Sequence, residues 1–158
     1  MSNRQPENSY PMNTALRSGR QAPAEAAIIM PGSLGTVLLV EDEEGIREVT
    51  SMLLSHLNYS VICAACGADA IEKFRKHQGA INVLLTDVVM PGMSGLKLAQ
   101  TLGAMDPGLK IIVMSGYSGE DCAQEHALPF LQKPFTKEKL AKILCGVMAS
   151  SLPAYPLH

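Results

Sequence analysis

A continuous apolar run that halts on an acid occurs twice in this chain, and it restricts the fold more than any other feature. Val37-Leu38-Leu39-Val40 runs straight into Glu41 and Asp42, and Leu84-Leu85-Thr86 stops at Asp87, ahead of Pro91, Gly92 and Gly95. An unbroken apolar run, in place of strict alternation, marks a strand buried on both faces of a parallel sheet. The residues after Asp87 read as a loop, so Asp87 stands at a strand tip beside solvent. Taken alone, a strand-end aspartate is a turn or cap residue, and chemistry requires other groups aimed at the same place.

The rest of the chain repeats the pattern. After Glu43 and Glu44, which suit a helix N-terminus, Ile46, Val49, Leu53 and Leu57 recur at helical spacing. Residues 59–64 read as a strand and 68–77 as a helix with Ala70, Ile71 and Phe74 on its apolar side. Residues 81–86 form the strand feeding Asp87, and Leu96, Ala99 and Leu102 mark the next helix. A strand at 109–114, a short helix at 118–126 with Ser118 and Asp121 in capping-box spacing, and a strand at 128–132 follow. Thr136 caps a last helix with Leu140, Ile143, Leu144 and Val147 inward. Strands alternating with helices imply right-handed crossovers and an α/β parallel sheet covered on both faces.

At 158 residues the chain has room for one domain, and a core of roughly 120 residues buries about two thirds of its unfolded surface. Residues 1–34, with Pro6, Pro11, Pro23 and Pro31 among polar residues, read as a tail or linker; 35–149 form the domain, and 150–158 a second tail. A net charge of −2 gives no reason to expect nucleic acid or an anionic membrane as partner. No apolar run approaches the ~18 residues of a membrane span, and the start lacks a secretory apolar block, so a cytoplasmic setting is expected. Cys63-Ala64-Ala65-Cys66 has redox or zinc spacing, but Cys122 and Cys145 stand alone, and Cys63 lies in an apolar run where a small buried residue belongs.

In a sheet of this kind functional groups gather at the carboxyl ends of the strands. Those ends deliver Glu41 and Asp42, Asp87, Ser115, and Lys133 followed by Pro134. Crowded carboxylates repel one another unless a cation sits among them. Mg²⁺ suits an all-oxygen set that lacks the nitrogen and sulfur zinc prefers. Lys133 and Ser115 can hold two oxygens of an incoming phosphoryl group, and the set describes phosphoryl transfer onto a carboxylate.

Val40-Glu41-Asp42-Glu43, the stretch from Thr86 to Gly95, Met114-Ser115-Gly116-Tyr117 and Phe130-Leu131-Gln132-Lys133-Pro134-Phe135 stand in this order. Together they resemble the response regulator receiver domain of two-component signalling over residues 36–148. The resemblance implies a flavodoxin-like (CheY-like) sheet of order 2-1-3-4-5. It implies Asp87 as phosphoacceptor, Asp42 as direct Mg²⁺ ligand, Glu41 acting through water, and the backbone carbonyl of Val89 as a further ligand. Ser115 falls on the switch hydroxyl, Lys133 on the phosphate-binding lysine and Phe130 on the switch aromatic. Glu41 departs from the usual Asp, and Phe130 lacks the hydroxyl of the frequent Tyr, which excludes a hydrogen-bonded switched state.

The resemblance also implies a histidine kinase or phosphotransfer protein as donor and a protein as downstream partner. Its wording is similar to receivers at the ends of hybrid histidine kinases, and a receiver standing alone, without an output domain, is expected. It implies no enzyme beyond slow loss of the protein's own phosphoryl group. The competing class, an Asp-nucleophile phosphatase, needs a general acid two residues after the nucleophile, where Val89 stands. A nucleotide or flavin module needs a Gly-rich cradle in place of the acids after Val40. The segment between Ser115 and Lys133 is short for the family, which predicts a short fourth helix and a chain that stays monomeric.

Overall fold

The computed structural model describes residues 30–116 and 127–150. Nine elements follow in order: β1 (Thr36–Val40), α1 (Glu44–His56), β2 (Ser60–Ala64), α2 (Gly67–Lys76), β3 (Val83–Asp87), α3 (Gly95–Met105), β4 (Lys110–Ser115), β5 (Phe130–Gln132) and α4 (Lys137–Ala149). The helix expected at 118–126 lies outside the described residues. All strands are parallel in one five-stranded sheet of order β2-β1-β3-β4-β5.

Every residue of β1 and β3 is buried, as the unbroken apolar runs require. Successive side chains still alternate between two layers. Leu38, Val40 and Leu84 join Phe74, Leu98 and Leu102 under α2 and α3. Val37, Leu39 and Leu85 join Leu54, Leu140 and Leu144 under α1 and α4. Thr136 Oγ1 accepts from the N–H of Lys139, the cap expected for the last helix, and Leu140, Leu144 and Val147 are buried on its inner face.

Two local expectations change. Gly95, read as a loop residue, is the first residue of α3. A side chain there would run into the Asp87 carbonyl, so the helix starts on the one residue that tolerates so close an approach. In α1 the period is helical, but the buried stripe is Arg47, Thr50 and Leu54. Val49 and Met52 stand 53% and 57% exposed, and Ile46, Val49 and Leu53 line a surface cleft of about 460 Å³ shared with Pro134 and Phe135. Leu53 and Leu57 of the repeat still pack on the core layer, while Arg47 turns inward to reach main-chain carbonyls.

Before β1, the Met30 N–H donates to Ser60 Oγ at 2.8 Å and the Leu34 N–H to the Asn58 carbonyl at 2.8 Å. Residues 30–35 therefore lie along the start of β2. No described helix is long and apolar enough to cross a membrane.

Candidate functional site

The parallel topology delivers β1, β3, β4 and β5 to one edge with their carboxyl ends aligned, and Glu41, Asp42, Asp87 and Lys133 meet there. Asp87 is the last residue of β3, opposite Met114 in β4, and is 7% exposed. Its Oδ1 accepts from the Val89 N–H at 3.0 Å, which folds the chain sharply back after the strand. Glu41 directly follows β1; its N–H donates to the Ala64 carbonyl at 3.1 Å, extending the ladder to β2, and it is 1% exposed. Asp42, next in the chain, is exposed. Oxygens of Glu41, Asp42 and Asp87 all lie within 4.8 Å of one another.

Lys133 closes the cluster from the far side of the sheet. Its N–H donates to the Ser115 carbonyl at 2.7 Å, which ties the residue after β5 to the tip of β4. Its Nζ donates to Glu41 Oε2 at 2.8 Å and to Asp87 Oδ2 at 2.5 Å. The lysine thus bridges residues 92 and 46 positions away in sequence. Burial alone disfavours its ammonium, but the hydrogen bonds to Asp87 and Glu41 and the charges of both outweigh that, and its pKa is raised. Burial also lifts the Glu41 carboxyl above the ordinary carboxylate value; the Asp87 charge adds to the shift, and Lys133 and the Glu43 N–H oppose it. That N–H donates to Glu41 Oε1 at 3.2 Å, so both oxygens of the longer glutamate arm are engaged.

The remaining predicted residues flank this centre. Ser115 ends β4, buried, opposite Gln132 in β5. Phe130 opens β5 opposite Val113 and packs, half-buried, against the core layer under α2 and α3. Val89 is 65% exposed with its N–H turned to Asp87. Cys63 is half-buried in β2 and Cys66 exposed at the α2 N-cap, and neither forms a disulfide among the described residues. Among the described residues the acidic trio is the one group of potential metal ligands.

Arg47 was missed by the sequence reading. It is 7% exposed, and its Nη1 donates to the Glu41 carbonyl at 2.8 Å and to the Asp42 carbonyl at 3.4 Å. The available signal was its place: a cation in the first turn of a helix opposes the dipole and needs another reason to be there.

Five parallel strands in order 2-1-3-4-5, with carboxylates and a lysine gathered at their carboxyl ends, define a receiver-type α/β domain. The family model of the response regulator receiver domain matches residues 37–145, and the chain belongs to that family. It is 35% identical over 128 residues to the sensor kinase CckA of Brucella abortus, a match covering 78% of this chain and 13% of that kinase. It is 34% identical over 113 residues to the two-component response regulator-like protein PRR37 of Oryza sativa, covering 68% of this chain and 15% of that protein. The chain therefore spans a small fraction of the length of these curated relatives. Among solved structures, chemotaxis protein CheY4 of Vibrio cholerae superposes with a TM-score of 0.67 at 29% identity, covering 73% of this chain and 99% of that one. The receiver domain of the hybrid histidine kinase CckA superposes with a TM-score of 0.62 at 29% identity, covering 72% and 99%.

Proposed function

We propose that the domain accepts a phosphoryl group on Asp87 from a phosphohistidine, supplied by a histidine kinase or a phosphotransfer protein, and passes the signal to a protein partner. One observation carries this reading: Lys133 Nζ bridges Asp87 and Glu41 while oxygens of Glu41, Asp42 and Asp87 cluster within 4.8 Å. The N–P bond of the donor breaks as an O–P bond forms to an Asp87 carboxylate oxygen, and the imidazole leaves. The all-oxygen donor set fits Mg²⁺, which Asp42, Asp87 and the Val89 carbonyl would hold directly and Glu41 through water. Bound there, the ion supplies neutralisation of the charge that develops on the transferred group. Lys133 exchanges an Asp87 oxygen for a phosphoryl oxygen and holds the product.

The new group brings about −2 charge and three acceptor oxygens beside Ser115 and Lys133. Ser115 moves to donate to it, and Phe130 turns into the vacated space. The responding face is the one containing β5 and α4. An apolar Val89 two residues after Asp87 offers no general acid, which disfavours a phosphatase acting on small substrates and leaves only slow loss of the protein's own phosphoryl group. The expected setting is the cytoplasm, without nucleic acid or membrane as partner, and the expected state is a monomer, which light scattering with and without beryllofluoride checks.

The test is intact-mass measurement after incubation with Mg²⁺ and acetyl phosphate. One added phosphoryl group is expected, and none on Asp87→Asn. Mg²⁺-dependent labelling of Asp87→Asn at the wild-type level refutes the assignment. Amide signals around Ser115 and Phe130 that stay still on adding beryllofluoride refute the switch.

A further inference from the structure

Arg47 is a buried charge that the proposed transfer does not use. It is the fourth residue of α1, its N–H bonded to the carbonyl of the N-cap Glu43, near the positive end of the helix, which disfavours a cation. Burying a guanidinium is costly unless its donors are engaged. Both costs are met because Nη1 reaches back along the chain to the Glu41 carbonyl at 2.8 Å and the Asp42 carbonyl at 3.4 Å. Two successive carbonyls are thereby held toward α1, and with them the turn from which the Glu41 and Asp42 carboxylates leave the chain. Glu41 is also fixed by the Ala64 carbonyl and by Lys133. The exposed Asp42 carboxylate hangs from the turn that Arg47 clamps.

We propose that Arg47 is a positioning residue for a divalent cation at the Glu41, Asp42 and Asp87 cluster. It acts through the main chain of the turn and does not touch the ion. This rests on the reading that the cluster binds Mg²⁺. A planar guanidinium with donors in a fixed fork can hold two carbonyls at once, whereas a lysine presents a compact charge on a flexible stem and does not reproduce that geometry.

The experiment is a Mg²⁺ titration of the full chain without phosphodonor, followed by the amide signals of residues 41–43 and 87–89, with urea denaturation run alongside. Arg47→Lys is expected to raise the Mg²⁺ dissociation constant about tenfold, the scale seen when groups that orient metal ligands are lost. Leu54→Ala is the control: Leu54 is fully buried on the same helix and away from the turn, so it lowers stability and leaves the Mg²⁺ constant at its wild-type value. A folded Arg47→Lys that binds Mg²⁺ as the wild type does overturns the proposal. So does a Leu54→Ala that weakens Mg²⁺ as much as Arg47→Lys does. If Arg47→Lys does not fold, Arg47→Gln carries the same expectation and the same refutation. A wild type that binds no Mg²⁺ overturns the underlying reading as well, and is distinguishable because it needs no variant.

Discussion

Gly95→Ala sets two effects of opposite sign against each other. Judged by helix propensity alone, replacing a helical glycine by alanine stabilises by about 1 kcal/mol. The added methyl, however, would overlap the Asp87 carbonyl oxygen and stand 2.7 Å from its carbon and 2.9 Å from Thr86 Oγ1, where real Cβ contacts are essentially never found under 3.0 Å. The obstacle is main chain at the tip of β3 and cannot rotate away. Relief requires α3 to lift off the strand tip, which stretches the bond from the Gly95 N–H to the Val88 carbonyl, now 3.0 Å. Overpacking against so rigid a neighbour belongs at the top of the usual range, about 3 kcal/mol. The net expectation is a loss of about 2 kcal/mol, or about 1 M in urea midpoint at a typical slope for a domain of this size. The assay is urea denaturation followed by far-UV circular dichroism, with Gly146→Ala beside it. Gly146 lies inside α4 with nothing within 4 Å of an added methyl, and alanine there is expected to raise the midpoint. A Gly95→Ala midpoint at or above that of the wild type refutes the close-approach argument.

Lys133→Met leaves the Glu41 and Asp87 carboxylates without their bridging cation, and is expected to cost about 3 kcal/mol, the low end for a broken buried pair because the site borders solvent. It is also expected to slow labelling by acetyl phosphate about a hundredfold, the scale of a lost preorganised donor, and wild-type labelling by Lys133→Met would exclude a role in transfer. Tyr59 supplies a pH test: burial, with the Cys145 charge adding, raises its phenol above the ordinary value. Below the unfolded-state value both states keep the proton and stability is untouched; above it the unfolded chain ionises first, so stability falls as pH rises toward the folded-state value. Tyr59→Phe is expected to flatten that alkaline fall in denaturation midpoints relative to wild type, and an identical fall in both proteins contradicts the assignment.

The sheet was legible in the sequence because its evidence is local. Val37–Val40 and Leu84–Leu85 are apolar without interruption, and only a strand covered on both faces asks for that. The site was legible through the strand tips: once Glu41, Asp42, Asp87, Ser115 and Lys133 are placed at strand ends, parallel topology brings them together. What escaped was whatever depends on main chain from another element. Ile46, Val49 and Leu53 keep a helical period whether they face the core or a surface cleft, so the period could not reveal that Arg47 and Thr50 take the buried stripe. Gly95 reads as one more loop glycine after Pro91 and Gly92 until the Asp87 carbonyl is seen beside it.

The reach of Lys133 bears on how an event at Asp87 becomes a change elsewhere. β5 is three residues long and lies at the edge of the sheet, paired only with β4. Such an element opens at low free-energy cost, since few backbone bonds and one neighbour hold it. Its carboxyl end is nonetheless anchored twice, through the Lys133 N–H on the Ser115 carbonyl and through Lys133 Nζ on Asp87 and Glu41. In the proposed transfer a phosphoryl group competes for that Nζ and for the Ser115 hydroxyl at the same time. Of the two anchors of the edge strand, the one through Nζ then answers directly to the chemical event, and Phe130, the first residue of the strand, is half-buried beside Val113. The buried pair Lys133 and Glu41 adds little to stability by this account, because its desolvation offsets most of its attraction. Its weight lies in tying the end of β5 to the strand tips that carry Glu41 and Asp87.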